Sequence, residues 1–161
     1  MTTRRQTLNR LLALSLFYPL VACGDGNRNE GLLMKPDVVL DVVLFNYLDR
    51  PIFDVLLNGG DIGVAGAYGG GRGVMTGVTV PVGHQTLTWR LGGPRGMAGN
   101  GDTVTAKNPL SLTANQIPPD ARYLGVHIYP DNTAELMTSP HFPEPSPRGE
   151  LIYKEKHLYG R

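Results

Sequence analysis

A single cysteine, Cys23, stands among 161 residues. An intramolecular disulfide is therefore excluded, and with it a multi-cysteine zinc or iron–sulfur centre. Charge is scarce too. Lys and Arg number 15 against 14 Asp and Glu, and charged residues are 18% of the chain, which leaves no basic footprint for nucleic acid. No apolar run reaches the ~20 residues that a membrane-spanning helix needs. What the chain does hold is 21 Gly and 13 Pro. Both residues break helices, so a helical bundle is disfavoured and short strands joined by many turns are expected. At this length one domain with a short tail is expected.

The first residues read as an address. Arg4, Arg5 and Arg10 precede an uncharged, mostly apolar run over 11–21, followed by Ala22-Cys23-Gly24. A basic start, a short apolar stretch and small residues before a cut site describe a secretory signal peptide over 1–22. Leu20-Val21-Ala22-Cys23 resembles a bacterial lipobox, in which the Cys thiol receives the lipid and becomes the new first residue. A plain secreted protein with a Cys near the cut is the alternative. Gly24 stands where Asp would signal inner-membrane retention, so the periplasmic side of the outer membrane is favoured. Arg4-Arg5 is only a faint twin-arginine signal, because Thr7 stands where an aromatic is usual. Removal of 1–22 takes three Arg and no acid, which leaves 12 bases, 14 acids and a net charge of −2.

Residues 23–36 lack alternation and read as a lipidated, flexible tether. From Asp37 the pattern turns to β. Leu40, Val42 and Leu44 share one face and Val43 and Phe45 the other, which suits a central strand covered on both sides. Strands are expected over 38–45, 52–57, 74–80, 85–91, 103–106, 110–113, 122–129 and 133–138. The first two flank the turn Tyr47 to Pro51 and read as an antiparallel pair, and the last two as a C-terminal hairpin. Two glycine-rich loops are expected, over 59–73 and 92–101; the first has eight Gly in fifteen positions. Residues 140–150 carry four Pro and read as extended. Residues 151–161 form a charged tail with one short strand or helical turn, and no helix longer than two turns is expected. The whole describes an all-β chain, a small antiparallel β-sandwich of seven or eight strands spanning 37–150.

Chemistry is harder to find. Gly69-Gly70-Gly71-Arg72-Gly73 invites a phosphate-loop reading, but no Gly-Lys-Ser/Thr follows and Gly73-Val74-Met75 opens a strand. The loop reads either as surface or as a contact loop with Tyr68 and Arg72 as anchors. No G-x-S-x-G elbow is present, and Ser139 and His141 sit in a proline-rich run that cannot orient a triad. His84, His127, His141 and His157 show no ligand spacing. His127, between Tyr123 and Tyr129 on one strand face, reads as a partly buried, hydrogen-bonded side chain rather than a metal ligand. Trp89, alternating with Leu87 and Leu91, reads as core. The reading is a non-enzyme with no cofactor, no metal and no small-molecule substrate.

One set of residues looks familiar. Leu44-Phe45-Asn46-Tyr47-Leu48-Asp49-Arg50-Pro51-Ile52 and Leu57-Asn58-Gly59 resemble the opening of a family of small bacterial lipoproteins built on a domain of unknown function. Val78-Thr79-Val80-Pro81, Thr88-Trp89-Arg90, Ile117-Pro118-Pro119 and Val126-His127-Ile128-Tyr129-Pro130-Asp131-Asn132 match in order. Relatives often carry a Cys pair where this chain has Met75-Thr76, so no thiol role carries over. Members are commonly encoded beside type VI secretion lipase effectors. The resemblance implies a periplasmic immunity protein that binds such a lipase, with a phospholipase of the A or D type as the natural partner.

Two further classes stay open: a structural or assembly lipoprotein of the envelope, and a small-ligand or metal-binding module. For partner contact, the side chains singled out are Tyr68 and Arg72 in the first glycine stretch and Arg95 in the second. Asp61, Asp102 and Glu135 are further acidic candidates. Cys23 is the expected lipid anchor.

Overall fold

The computed structural model describes residues 37–156. Cys23, the tether and His157 lie outside the described residues. Ten strands and one helix follow in order: β1 (Asp37–Asn46), β2 (Ile52–Leu57), β3 (Gly60–Ala65), β4 (Gly69–Pro81), β5 (Gly83–Gln85), β6 (Leu87–Leu91), β7 (Thr103–Thr105), β8 (Leu110–Leu112), β9 (Tyr123–Ile128), β10 (Ala134–Ser139) and α1 (Pro147–Glu155). They build an all-β sandwich. One sheet runs β10-β9-β1-β4, the other β3-β2-β6-β7, and β5 and β8 form a separate ribbon. All pairings are antiparallel except β1 with β9.

Two strands exceed the expected eight. The segment expected over 85–91 breaks at Thr86, whose N–H and hydroxyl both donate to the Asn58 side-chain oxygen, at 2.9 and 3.4 Å. Side-chain oxygen replaces ladder partner there, so β5 and β6 separate. The other extra strand comes from the glycine stretch. Residues 59–73 are not a loop: Gly60–Ala65 pairs with β2, and β4 begins at Gly69. Glycine is a weak strand former, but pairing to an aromatic neighbour rescues it. Gly70 pairs with Phe45, and a Cβ built on Gly70 would lie 2.5 Å from the ring's Cδ1.

A second correction concerns β1 and β2. They are not a hairpin but lie in opposite sheets, and Tyr47 to Pro51 carries the chain across. Asn46, fully buried, holds this crossover: its amide donates to the Arg50 carbonyl at 2.8 Å and its oxygen accepts from the Leu48 N–H at 3.0 Å. The C-terminal hairpin forms as expected, with β9 and β10 antiparallel from Tyr123↔Ser139 to Ile128↔Ala134.

Alternation along β1 serves two cores. Leu40, Val42 and Leu44 point between the sheets, where they meet Ile52, Trp89, Leu124 and Val126. Val43, Phe45 and Tyr47 point outward and join Tyr129, with Ile152 and Tyr153 of α1 packed against them. Helix α1 is the third correction. It spans the expected boundary at 150/151 and turns the last part of the proline-rich segment helical. Pro147 sits in the first turn, where its missing N–H costs nothing, and the Ser146 hydroxyl caps the helix by accepting from the Gly149 N–H at 3.0 Å.

Candidate functional site

A groove of about 860 Å³ lies beside the β3–β4 turn. Ile62 to Ala65 of β3 form one wall, Gly69 to Met75 of β4 the floor, and Glu144, Pro145, Glu150 and Tyr153 the end near α1. Tyr68 and Arg72 both line it. These are the two contact residues singled out in the first glycine stretch.

Local backbone chemistry explains how each is presented. Gly66 to Gly69 form a tight turn closed by the Gly69 N–H to the Gly66 carbonyl at 3.1 Å. Tyr68 occupies its third position with φ +46°, a left-handed conformation that a bulky residue rarely takes. Surrounding bonds impose it. The Tyr68 N–H donates to the Leu48 carbonyl at 2.8 Å, and the Asn46 amide donates to the Gly66 carbonyl at 2.7 Å. One buried Asn thus fixes both the sheet crossover and the turn that displays Tyr68. Such strain, of order 1–3 kcal/mol, persists only where the neighbourhood over-determines it.

Arg72 is carried on a bulge. Between the pairs Val43↔Val74 and Phe45↔Gly70, β1 has one residue and β4 has three. Gly71, at φ +68°, makes the excursion possible. The exposed Arg72 faces a groove that also holds two carboxylates, Glu144 and Glu150, the latter 3.9 Å from Lys154.

The other sequence-predicted contacts do not join this groove. Asp61 lies on β3 outside its lining and accepts from the Gly63 N–H at 2.8 Å. Arg95 and Asp102 belong to the loop between β6 and β7 and do not line the groove. That loop is pinned by Arg50, which donates from Nε to the Gly92 carbonyl and from Nη1 to the Ala98 carbonyl, both at 2.8 Å. Glu135 lies on β10, where it accepts from the Tyr129 hydroxyl at 2.6 Å. Sequence reasoning missed Asn46, Glu144, Glu150 and Tyr153. Only Asn46 left a signal, as a polar residue closing an apolar strand.

Behind the first sheet lies a buried polar network. The Tyr47 hydroxyl meets His127 Nδ1 at 3.0 Å and accepts from the Ser146 N–H at 3.1 Å. The Tyr129 hydroxyl meets Ser146 Oγ at 2.6 Å while donating to Glu135. The other ring nitrogen, His127 Nε2, is buried and has no hydrogen-bond partner among the described residues. Phe45 stacks on the imidazole with centroids 4.6 Å apart. Burial pushes the His127 pKa down to about 4 and the Tyr47 pKa up to about 12. Ser146 is fully buried, and its hydroxyl is shared between Tyr129 and the Gly149 N–H, with no hydrogen bond to His127. It ties α1 to the sheet. Among the described residues no group of three His, Cys, Asp or Glu is placed to hold a metal ion.

Comparisons with protein-family models, curated proteins and solved structures find no match to this chain.

Proposed function

We propose that the chain is a periplasmic immunity lipoprotein, held in the envelope through Cys23, that binds and neutralises a type VI secretion lipase or phospholipase effector. The observation that carries this reading is the lipobox ending at the chain's one Cys, taken with the resemblance over residues 38–150. The groove adds a physical reason. It presents a strained Tyr and a bulge-borne Arg together, two residue types enriched at interface hot spots. A lipase reaching the periplasm attacks the membrane surface, so a lipid-anchored binder meets it at its substrate. Occluding a cleft or holding a lid requires complementary loops on a rigid scaffold and no chemistry.

The experiment identifies the adjacent open reading frame and expresses its product in the periplasm with and without the full chain. A neighbour that is no lipase already counts against the reading. Restored growth together with co-purification of the two proteins supports the reading. Unrelieved toxicity with no co-purification overturns it and leaves an envelope assembly role as the reading to pursue.

A further inference from the structure

Sheet edges carry unpaired backbone donors and acceptors, and folded chains usually blunt them. Three of the four edges of this sandwich are blunted. On β10 the Asn108 side chain accepts from the Ala134 N–H at 2.8 Å and donates to its carbonyl at 2.9 Å, and the Thr138 hydroxyl donates to the Gln116 carbonyl. β7 is only three residues long. β3 is short, and its Gly63 N–H is already taken by Asp61.

The fourth edge is different. β4 is the longest strand, with 13 residues, and pairs only with β1. Among the described residues nothing bonds its outward side from Gly70 to Val80. The Gly77 N–H, at a bulge with φ +69°, is tied inward to Asp41 at 3.0 Å. No Lys or Pro interrupts the edge before Pro81; bulges at Gly71 to Gly73 and at Gly77 leave Val74 to Thr76 and Val78 to Val80 as its regular stretches. Gly73 and Gly77 have no neighbour within 4 Å of a built Cβ, so another backbone can come close. Val74 and Met75 remain 42% and 39% exposed, one on each face of the strand, so each face offers an apolar side chain.

We infer that the β4 edge accepts an extended segment of a protein partner as an added strand, with a Lys or Arg of that segment set against Glu144 and Glu150. Main-chain hydrogen bonds would supply affinity and alternate side chains the specificity. Charge selects the occupant: Glu144 and Glu150 both line the groove against Arg72, and with Glu150 within 3.9 Å of Lys154 it is Glu144 that has no cation partner among the described residues. This goes beyond the lipase reading, because any partner with such a segment meets the requirement.

The test pans the full chain against a library of random linear peptides and maps the selected peptides by amide hydrogen exchange. Selected sequences should alternate aliphatic residues with a Lys or Arg and should slow exchange over 69–81 by about tenfold or more. N-methylation at alternate peptide residues should abolish binding without any change to the protein. Met75→Lys should weaken binding by about tenfold with an unchanged melting temperature, and the double change Glu144→Gln with Glu150→Gln should erase the preference for basic peptides. Failure to select any peptide overturns the inference, as does protection that falls elsewhere. Protection of 69–81 in the chain alone also overturns it: concentration-dependent protection assigns the edge to a second copy, and concentration-independent protection to residues 24–36. None of these outcomes involves the lipase, so the proposed function stands or falls separately.

Discussion

Gly149 of α1 lies directly on the ring of Tyr47, so close that a Cβ at residue 149 would overlap Cζ and the hydroxyl. Helix and sheet meet there with no side chain between them. The same ring accepts from the Ser146 N–H, which begins the helix, and stacks on Tyr129 at 5.2 Å. This close contact joins the packing of Ile152 and Tyr153 and the Arg148 bonds to Thr133 and Asp131 in holding residues 147–155 over the outer face of the first sheet.

Gly149→Ala should therefore destabilise the chain even though Ala is the better helix former. The propensity gain is about 1 kcal/mol, while overpacking a rigid aromatic costs roughly 1–3 kcal/mol and forces the helix outward. A lower melting temperature with faster amide exchange confined to α1 is expected. A variant more stable than the parent would show that the helix rides loosely on Tyr47.

Stability should also fall on both sides of neutrality. An unfolded His127 takes its proton near pH 6.5, but the folded ring stays neutral to about 4. Protons then bind the unfolded chain first, so stability is lost as pH drops from about 6.5 towards 4, by on the order of 3 kcal/mol. Tyr47, raised from 10.0 to about 12, gives the opposite limb, with loss as pH rises through that window. Urea midpoints across this range, for the parent and His127→Leu, check the acid limb. The variant should lose most of the slope between about pH 6.5 and 4, and an equal slope in both chains would assign it to other groups.

How much of the fold could be read from the sequence depended on whether neighbours along the chain decided it. Alternation over 38–45 and 122–129 gave the right faces because both strands are central and each face has its own core. The antiparallel reading of β1 with β2 failed because nothing local distinguishes a hairpin turn from a sheet crossover. That choice is made by Asn46, whose partners include Gly66, twenty residues away. Strand β3 and the start of β4 were hidden because glycine carries no hydrophobic period. Their pairing depends on Phe45 and the core under Ile62, contacts that composition does not reveal.

Arg50 should prove structural, although it sits among the residues that carry the family resemblance. Its guanidinium bridges two carbonyls of the glycine-rich loop over 92–101. Arg50→Ala should cost about 2 kcal/mol, because hydrogen bonds to a charged donor are worth more than neutral ones. Amide exchange over 92–101 should quicken while β1 and β9 stay protected. An unaffected loop would show that its own turns suffice to order it.

The candidate site was legible only in part. Tyr68 and Arg72 were singled out for their residue types, and the structure brings both to one groove. Arg95, Asp102 and Glu135 were drawn from equally exposed-looking segments but do not line that groove. Glu144, Glu150 and Tyr153 enter the groove only because α1 folds back over the sheet, which depends on Gly149 and Tyr47.

Tyr68 offers the cleanest separation of stability from binding. Its left-handed backbone, φ +46°, suits glycine and strains an aromatic, so Tyr68→Gly relieves roughly 1–2 kcal/mol in the fold. Glycine's greater freedom in the unfolded chain returns about 0.5–1 kcal/mol of that. The two nearly cancel, and the melting temperature should move little. If the strain is kept because the ring meets a partner, affinity for the proposed lipase partner should fall by about tenfold or more, the loss of an aromatic anchor. Tyr68→Phe keeps the ring and the strain, so it should retain most of the affinity. A Gly variant that is clearly more stable and binds as tightly as the parent would place the ring outside the interface and leave the strain without a functional cause.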